Sequence, residues 1–195
     1  MASGFMDPRA VDPTAVSADA RPCPICGLDP RTVKPPDASA ALRSYPRRYR
    51  RLLVRVDDDE GARVVRQRPA SDRWSALEHA AHVADVMGAA AKAVEQVQLH
   101  DAPLLDVGVG PPRTAPVDEV LVRIRKECDG LAARVDVIEG REWQRQGRLP
   151  SGQQVSTMDL VRHAVHVGTH HRRVIDEVMT TVLFGAKRTG DRTTY

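Results

Sequence analysis

Six of the seven histidines in this 195-residue chain lie in two short segments whose apolar residues repeat with helical spacing. The first segment contains His79 and His82, and the second contains His163, His166, His170 and His171. Residues four apart in an α-helix are about 40° apart on one face. His166 and His170 can therefore bind one transition-metal ion if another helix supplies a third ligand, and His82 can be that ligand. Three protein ligands would leave a position open for water or substrate.

The alternative for these histidines is structural. A single helical histidine is more often a surface residue or a hydrogen-bonded core residue than a ligand. Several histidines in an otherwise apolar helix are harder to explain in that way, because burying imidazoles without partners is costly.

The apolar pattern predicts four helices. The first follows Asp37 and runs to about Val56, with Pro46 near its beginning or at a kink. The second begins at Ser75, which forms a capping box with Glu78, and continues through Val97. The third spans roughly 117–138, and the last opens with a second box, Ser156 and Asp159. With aromatic residues at only 4%, the core must rest on aliphatic side chains, and alanine and valine at helical spacing favour a helical bundle.

Two motifs resemble the signatures of a known family. The pattern Trp74-Ser75-x-x-Glu78-x-x-x-His82-x-x-Asp85 is similar to the second-helix signature of the DinB/YfiT-like superfamily. The pattern His163-x-x-His166-x-x-x-His170-His171 is similar to its fourth-helix signature. The resemblance covers roughly residues 37–184 and implies an all-α, DinB-like four-helix bundle.

The resemblance also implies a function. Members of the family carry a divalent metal, often zinc or nickel, on three histidines, which here correspond to His82, His166 and His170. His171 lies about 140° around the helix from His166, so the geometry favours His170, although His171 or His163 can substitute. Characterised relatives include S-transferases and isomerases that use thiols such as mycothiol or bacillithiol. The implied co-substrate is mycothiol, and the implied partners are a small-molecule thiol and an electrophile.

The cysteines form a separate motif. Cys23-Pro-Ile-Cys26-Gly27 is half of a zinc ribbon or a redox dithiol, whereas Cys128 is expected to be a small core residue. The knuckle can bind zinc with two ligands borrowed from the bundle, and His79, His100, His163 and His171 are the candidates. It can instead be redox active, or a reduced turn that tethers the N-terminal segment.

Composition limits the remaining possibilities. We expect a partly disordered extension over residues 1–36, a bundle over 37–184 and a flexible tail over 185–195. No apolar run reaches membrane-spanning length and no signal peptide is evident, so a cytoplasmic protein is expected. The net charge of +3 reflects arginine and does not indicate nucleic-acid binding. A homodimer is compatible with the sequence.

One basic cluster lies in the first predicted helix. The residues Arg47-Arg48-Tyr49-Arg50-Arg51 form either a solvated helix face or a contact for an acidic ligand.

Two hypotheses of function follow. In the first, the protein is a metal-dependent enzyme that activates a thiol, or water, at an open site. Asp85 is the candidate for an acid, a base or a group that orients a ligand imidazole. In the second, the protein is a non-catalytic metal-binding or stress-response module, with the cysteine knuckle as sensor or docking element.

Overall fold

The computed structural model describes residue 16 and residues 21–54, 59–113 and 115–190, without the side chains of 59–60 and 185–190. Five α-helices lie in these residues: α1 Pro35–Leu53, α2 Asp59–Arg66, α3 Ala76–Leu99, α4 Val117–Val135 and α5 Thr157–Gly190. Short 3-10 turns span Pro30–Thr32 and Gly140–Gln144, and strands β1 Gln146–Arg148 and β2 Gln154–Ser156 form a hairpin before α5. The predicted all-α four-helix bundle is confirmed, and no helix of the described residues combines the length and apolar character needed to cross a bilayer.

The four long helices form a ring in which chain neighbours are not always spatial neighbours. Helix α1 packs against α4 and α5, and α3 packs against the same two helices. Consecutive long helices α1 and α3 therefore lie diagonally across the bundle, and the connection between them contains the short helix α2. This arrangement sets α5 between α1 and α3, so side chains of α5 can meet groups from both.

Both predicted capping boxes are present. At the start of α3, the Ser75 Oγ accepts a hydrogen bond from the Glu78 amide at 3.2 Å, and the Glu78 carboxylate accepts one from the Ser75 amide at 2.8 Å. At the start of α5, the Asp159 amide donates to the Ser156 Oγ at 3.1 Å, and the Ser156 amide donates to the Asp159 carboxylate at 3.0 Å. These reciprocal bonds satisfy amides that a helix start leaves without intrahelical partners.

Several helix ends differ from the prediction. Helix α1 begins at Pro35, a favourable first position because proline lacks the amide hydrogen that a helix start leaves unused. It ends at Leu53 and contains Pro46 in its interior. Helix α4 ends at Val135, after which two tighter turns replace the last predicted helical turn. Helix α5 continues to Gly190, beyond the predicted start of the tail. Residues 1–15, 17–20 and 191–195, which belong to the predicted extension and tail, lie outside the described residues.

The contact between α1 and α5 is close. The Tyr45 hydroxyl donates to the Val165 carbonyl and the Tyr49 hydroxyl to the Gly168 carbonyl, both at 2.8 Å. A Cβ on Gly168 would lie 2.4 Å from the Tyr45 ring. Only glycine therefore allows α1 to approach α5 at this level, next to the predicted metal ligands.

The hairpin was not predicted from the sequence. Strand β1 pairs with β2 in antiparallel register, and Gly147 lies opposite Val155. A Cβ on Gly147 would lie 2.5 Å from the Leu105 side chain, so the loop after α3 packs directly on the hairpin. The Thr157 amide donates to the Arg145 carbonyl at 2.9 Å, which joins the hairpin to the first residue of α5.

Candidate metal centre

The structure brings together two cysteines and two histidines from distant parts of the chain. One donor atom each from Cys23, Cys26, His166 and His170 lies within 4.8 Å of the other three. We call these four residues the Cys–His group. No other set of three or more histidines, cysteines or acidic residues in the described part of the chain has donor atoms gathered in this way. Two thiols and two imidazoles are a common ligand set of tetrahedral zinc sites.

A helix positions the two histidines of the Cys–His group, and a tight turn positions the two cysteines. His166 and His170 lie on successive turns of α5, four residues apart. The two cysteines lie in a tight turn closed by hydrogen bonds from the Gly27 amide to the Cys23 carbonyl and from the Cys23 amide to the Leu28 carbonyl, both at 2.8 Å. Gly27 has a φ of +74°, a left-handed conformation that glycine adopts without steric cost. This turn directs both thiols toward the same face of α5.

Contacts outside the Cys–His group also hold the N-terminal segment on the bundle. The Arg162 guanidinium, one turn before His166, donates to the Val33 carbonyl at 3.2 Å and to the Arg31 carbonyl at 2.9 Å. The Val33 side chain is buried in the core. The position of the cysteine turn is therefore set partly by packing and does not depend on a metal alone.

The protonation states of the group suit a metal. Burial lowers the pKa of His166 to about 4, with a further contribution from His170, so the imidazole is in the neutral form that binds metals. The buried His166 Nε2 has no hydrogen-bond partner among the described residues. The Cys23 Sγ lies 3.3 Å from the His170 Nδ1. Burial raises the pKa of Cys26 to about 11, with the neighbouring Cys23 adding to the shift, and a bound cation would oppose this cost of forming the thiolate. The residues thus fit a divalent transition metal.

A second set of histidines lies deeper in the bundle. His79 and His82 of α3 pack against Trp74, His171 of α5 packs against both histidines, and all four side chains are buried. We call the three imidazoles the buried histidine cluster. The Nδ1 atoms of His79 and His171 are 3.0 Å apart, so one imidazole donates to the other and at least one must be neutral. The ring centroids of His82 and His171 are 4.9 Å apart. Burial, then the neighbouring histidines, hold the pKa of His171 well below its usual range.

Comparison with known proteins agrees with the resemblance found in the sequence. The family model of the DinB superfamily matches residues 41–175. The chain belongs to the DinB superfamily. Among solved structures, YfiT from Bacillus subtilis matches with a TM-score of 0.66 and 14% sequence identity, over 84% of this chain and 94% of YfiT. YfiT is described as a probable metal-dependent hydrolase with an unusual four-helix bundle topology. A comparison with curated proteins found no match.

In this DinB-superfamily chain, the predicted metal ligands are divided between the two groups. His166 and His170 are together, as their spacing predicted, but His82 belongs to the buried histidine cluster. The possible substitute His171 lies in that cluster as well, and His163 is outside the Cys–His group. The set of His82, His166 and His170 stays a prediction.

The cysteine turn meets histidines other than those proposed as borrowed ligands. Of those four candidates, none is in the Cys–His group, and His100 is an exposed residue at the end of α3. The sequence held part of the signal for this pairing. A Cys-x-x-Cys turn and a His-x-x-x-His helix each supply two of the four ligands of a tetrahedral site. The two motifs could therefore have been predicted to share one metal ion.

The acidic residues of the second-helix signature face other partners. Asp85 forms a salt bridge with Arg123 of α4, so in this DinB-superfamily member the carboxylate pairs toward α4 rather than α5. Glu78 caps α3 and also accepts hydrogen bonds from Arg68. Burial acts to raise the pKa of Glu78, but the bonds from Arg68 and Ser75 outweigh it and the net pKa is lowered. The predicted capping role of Glu78 is confirmed, whereas a catalytic or orienting role for Asp85 stays a prediction.

Proposed function

We propose that this DinB-superfamily protein is a metal-dependent enzyme whose divalent ion, zinc or nickel, is held by the Cys–His group. The observation that carries the metal-binding part of the proposal is the gathering of four donor atoms, two on the N-terminal turn and two on α5, within 4.8 Å of one another. Thiolate and imidazole donors select zinc and related transition metals over magnesium or calcium, which prefer oxygen ligands.

The proposed reaction transfers a small-molecule thiol of the mycothiol type to an electrophile, or isomerises a substrate with its help. A divalent ion lowers the pKa of a thiol or a water that it binds, which makes thiolate or hydroxide available at neutral pH. Hydrolysis is the variant in which water takes the place of the thiol, and the description of YfiT as a probable metal-dependent hydrolase supports a metal-dependent reaction.

The cysteines of the Cys–His group must stay reduced in order to bind a metal. All three cysteines of the chain are free, which supports a cytoplasmic location.

The chain's own residues have two roles in this proposal. His166, in its neutral form, and His170 supply imidazole nitrogens from one helix, which fixes their separation. Cys23 and Cys26 are only half-buried, so this side of the group is the one that a substrate can reach from solvent.

A specific observation favours the second hypothesis, a non-catalytic metal-binding module. The Cys–His group already offers four protein donors, and zinc sites with four protein ligands are typically structural, whereas catalytic sites keep one position for substrate. In this module the ion would fasten the N-terminal segment to α5. The two hypotheses share the ligands and differ in whether a thiol reacts.

Metal analysis of purified variants tests the ligand set. We expect about one divalent ion per wild-type chain, and at least about tenfold weaker metal binding in Cys23→Ser and His166→Ala, since losing even a residue that only supports a ligand costs tenfold or more. His100→Ala is the matched control, because His100 is exposed and outside the group. Metal content is measured by mass spectrometry.

His82→Asn distinguishes the Cys–His group from the three-histidine set. The Cys–His group predicts that this variant keeps its metal, because His82 lies in the buried histidine cluster. Metal that is lost from His82→Asn but retained by Cys23→Ser would replace the Cys–His group with the histidine set. Retention of metal by every variant would remove both.

A thiol-conjugation assay tests the enzyme against the module. We expect metal-loaded protein to accelerate conjugation of mycothiol, or a related thiol, to a model electrophile. The rate should disappear with a chelator, return with zinc or nickel, and rise with pH through a group titrating below the free thiol pKa of about 8.5. The His166→Ala protein is the comparison. If it reacts as fast as the metal-loaded wild type with every thiol tested, the module is the better account.

A further inference from the structure

A groove between α1 and α4 lies apart from both histidine groups. It is an open groove with a volume of about 880 Å³, within the range of small-molecule sites. Its lining comes mainly from the C-terminal half of α1 and the N-terminal half of α4, whereas the histidines lie on α3 and α5. A ligand bound here would therefore not touch the proposed metal ligands.

Arginines give the groove its charge. Arg43, Arg47 and Arg50 of α1 and Arg125 of α4 line it. Arg43 pairs with Asp136, and Arg125 lies 3.8 Å from the Asp129 carboxylate. The guanidinium groups of Arg47 and Arg50 form no hydrogen bond or ion pair within the described residues.

The two unpaired arginines share one side of the groove. They are three residues apart in α1, so they are neighbours on one helix face. Asp118 is the acidic lining residue that remains after the Arg125–Asp129 pair is set aside. Among the described lining side chains, two unpaired guanidinium groups thus face one carboxylate, and their summed charge is positive.

The rest of the lining is apolar. Pro46 and Leu53 come from α1, and Leu121 and Val122 come from α4. The Val122 side chain is 67% exposed, a high value for a valine. Unpaired guanidinium groups beside the exposed Val122 and the partly buried Leu121 suit a ligand that has an apolar body and an anionic end.

From this arrangement we infer that the α1–α4 groove binds a small organic anion with an aliphatic or aromatic body, whose carboxylate or phosphate pairs with Arg47 and Arg50. The apolar body lies against Leu121 and Val122. Asp118 and Asp129 on the α4 side of the groove disfavour a nucleic-acid backbone, because their carboxylates would repel its phosphates. This site is independent of the proposed metal-dependent reaction, since it shares no residue with the Cys–His group.

Calorimetric titration of the full-length protein with octanoate tests the site. We expect saturable binding of one octanoate per chain. Acetate lacks the apolar body and octanol lacks the charge, so each should bind at least about tenfold more weakly. Octyl phosphate tests whether phosphate serves as well as carboxylate.

Two double variants separate the groove from general surface charge. Arg47→Gln with Arg50→Gln should weaken octanoate binding about tenfold, because two charge-assisted contacts are lost. Arg48→Gln with Arg51→Gln removes the same charge from the same helix but outside the groove, and binding should change less than about twofold. Val122→Asp places a like charge on the apolar wall and should weaken binding about tenfold. Thermal unfolding establishes that each variant is folded.

Three results would overturn the inference: no saturable octanoate binding, equal losses in the two double variants, or octanol binding as tightly as octanoate. A DNA oligonucleotide that binds with the same dependence on Arg47 and Arg50 while octanoate does not bind would assign the groove to nucleic acid instead.

Discussion

The seven histidines show how one residue type acquires different chemistry from its surroundings. His166 and His170 lie beside two thiols at the edge of α5, where a cation can be coordinated. His171, the next residue, points into the buried histidine cluster and meets His79 through a bond between ring nitrogens. A rotation of about 100° along the helix therefore separates a candidate ligand from a core residue.

The depressed histidine pKa values predict that the metal-free protein loses stability in acid. The folded-state pKa of His166 is about 4 and its unfolded value is about 6.5. The unfolded chain binds the proton more readily, so the stabilisation is fully present above about pH 6.5 and is lost progressively as the pH falls toward 4. The low pKa of the fully buried His171 acts in the same direction.

Urea unfolding with a chelator at pH 7, 6 and 5 measures this effect. The free energy of unfolding should fall on acidification, with His166 contributing at most about 1 kcal/mol per pH unit because it is partly exposed. His166→Gln should flatten the dependence, whereas His100→Gln, at an exposed position, should leave it unchanged. Stability that is constant or rises between pH 7 and pH 5 would contradict the assignment.

At the scale of elements, the features predictable from sequence are those decided within a few residues. The capping boxes at Ser75 and Ser156 were predicted because donor and acceptor are three residues apart. The hairpin before α5 was not, because its strands are three residues each and depend on Leu105 packing over Gly147. Short strands carry little periodic signal, so contacts with a distant loop decide whether they form.

The close approach of α1 and α5 predicts a large effect for one small substitution. Gly168→Ala would place a Cβ 2.4 Å from the Tyr45 ring, inside the helix that carries the candidate ligands. We expect a loss of about 1–3 kcal/mol in the free energy of unfolding, since a well-packed core must shift to accept the methyl group. Chemical denaturation of the variant measures it.

Gly130→Ala in α4 is the matched control. The nearest atom that a Cβ there would meet is the end of the Arg134 side chain, 4.0 Å away. Alanine has the better helix propensity, so this variant should be more stable by about 0.5–1 kcal/mol. Equal destabilisation by both substitutions would show that the α1–α5 contact is not the cause.

At the scale of the whole molecule, the path of the chain explains why the sequence predicted the histidine pair and the cysteine pair but not the contact between them. The family signatures and the helical periodicity identified the bundle and the pair His166 and His170. The meeting of this pair with Cys23 and Cys26 joins residues that are far apart in sequence. It depends on how the N-terminal segment crosses α5, which is set by Arg162 and by burial of Val33. No local pattern encodes that path, so the sequence left the cysteine turn with several possible partners.

The same arrangement predicts that the bundle folds without its N-terminal segment but loses its response to metal. Deleting residues 1–34 leaves α1 intact from Pro35 and removes the cysteine turn and the Val33 contact. We expect helical circular dichroism and cooperative thermal unfolding, with stability lower by about 3–6 kcal/mol for the lost burial of Val16 and Val33. In the full-length protein, zinc at about 100 times its Kd should add about 2.7 kcal/mol, because the ion binds the folded state. Zinc should not raise the Tm of the truncated protein.

Full-length Cys23→Ser is the control, since it keeps the N-terminal segment and its Tm should also fail to rise with zinc. Non-cooperative melting after truncation would make the segment part of the folding unit, and an equal zinc response in the truncated protein would move the metal to ligands within the bundle.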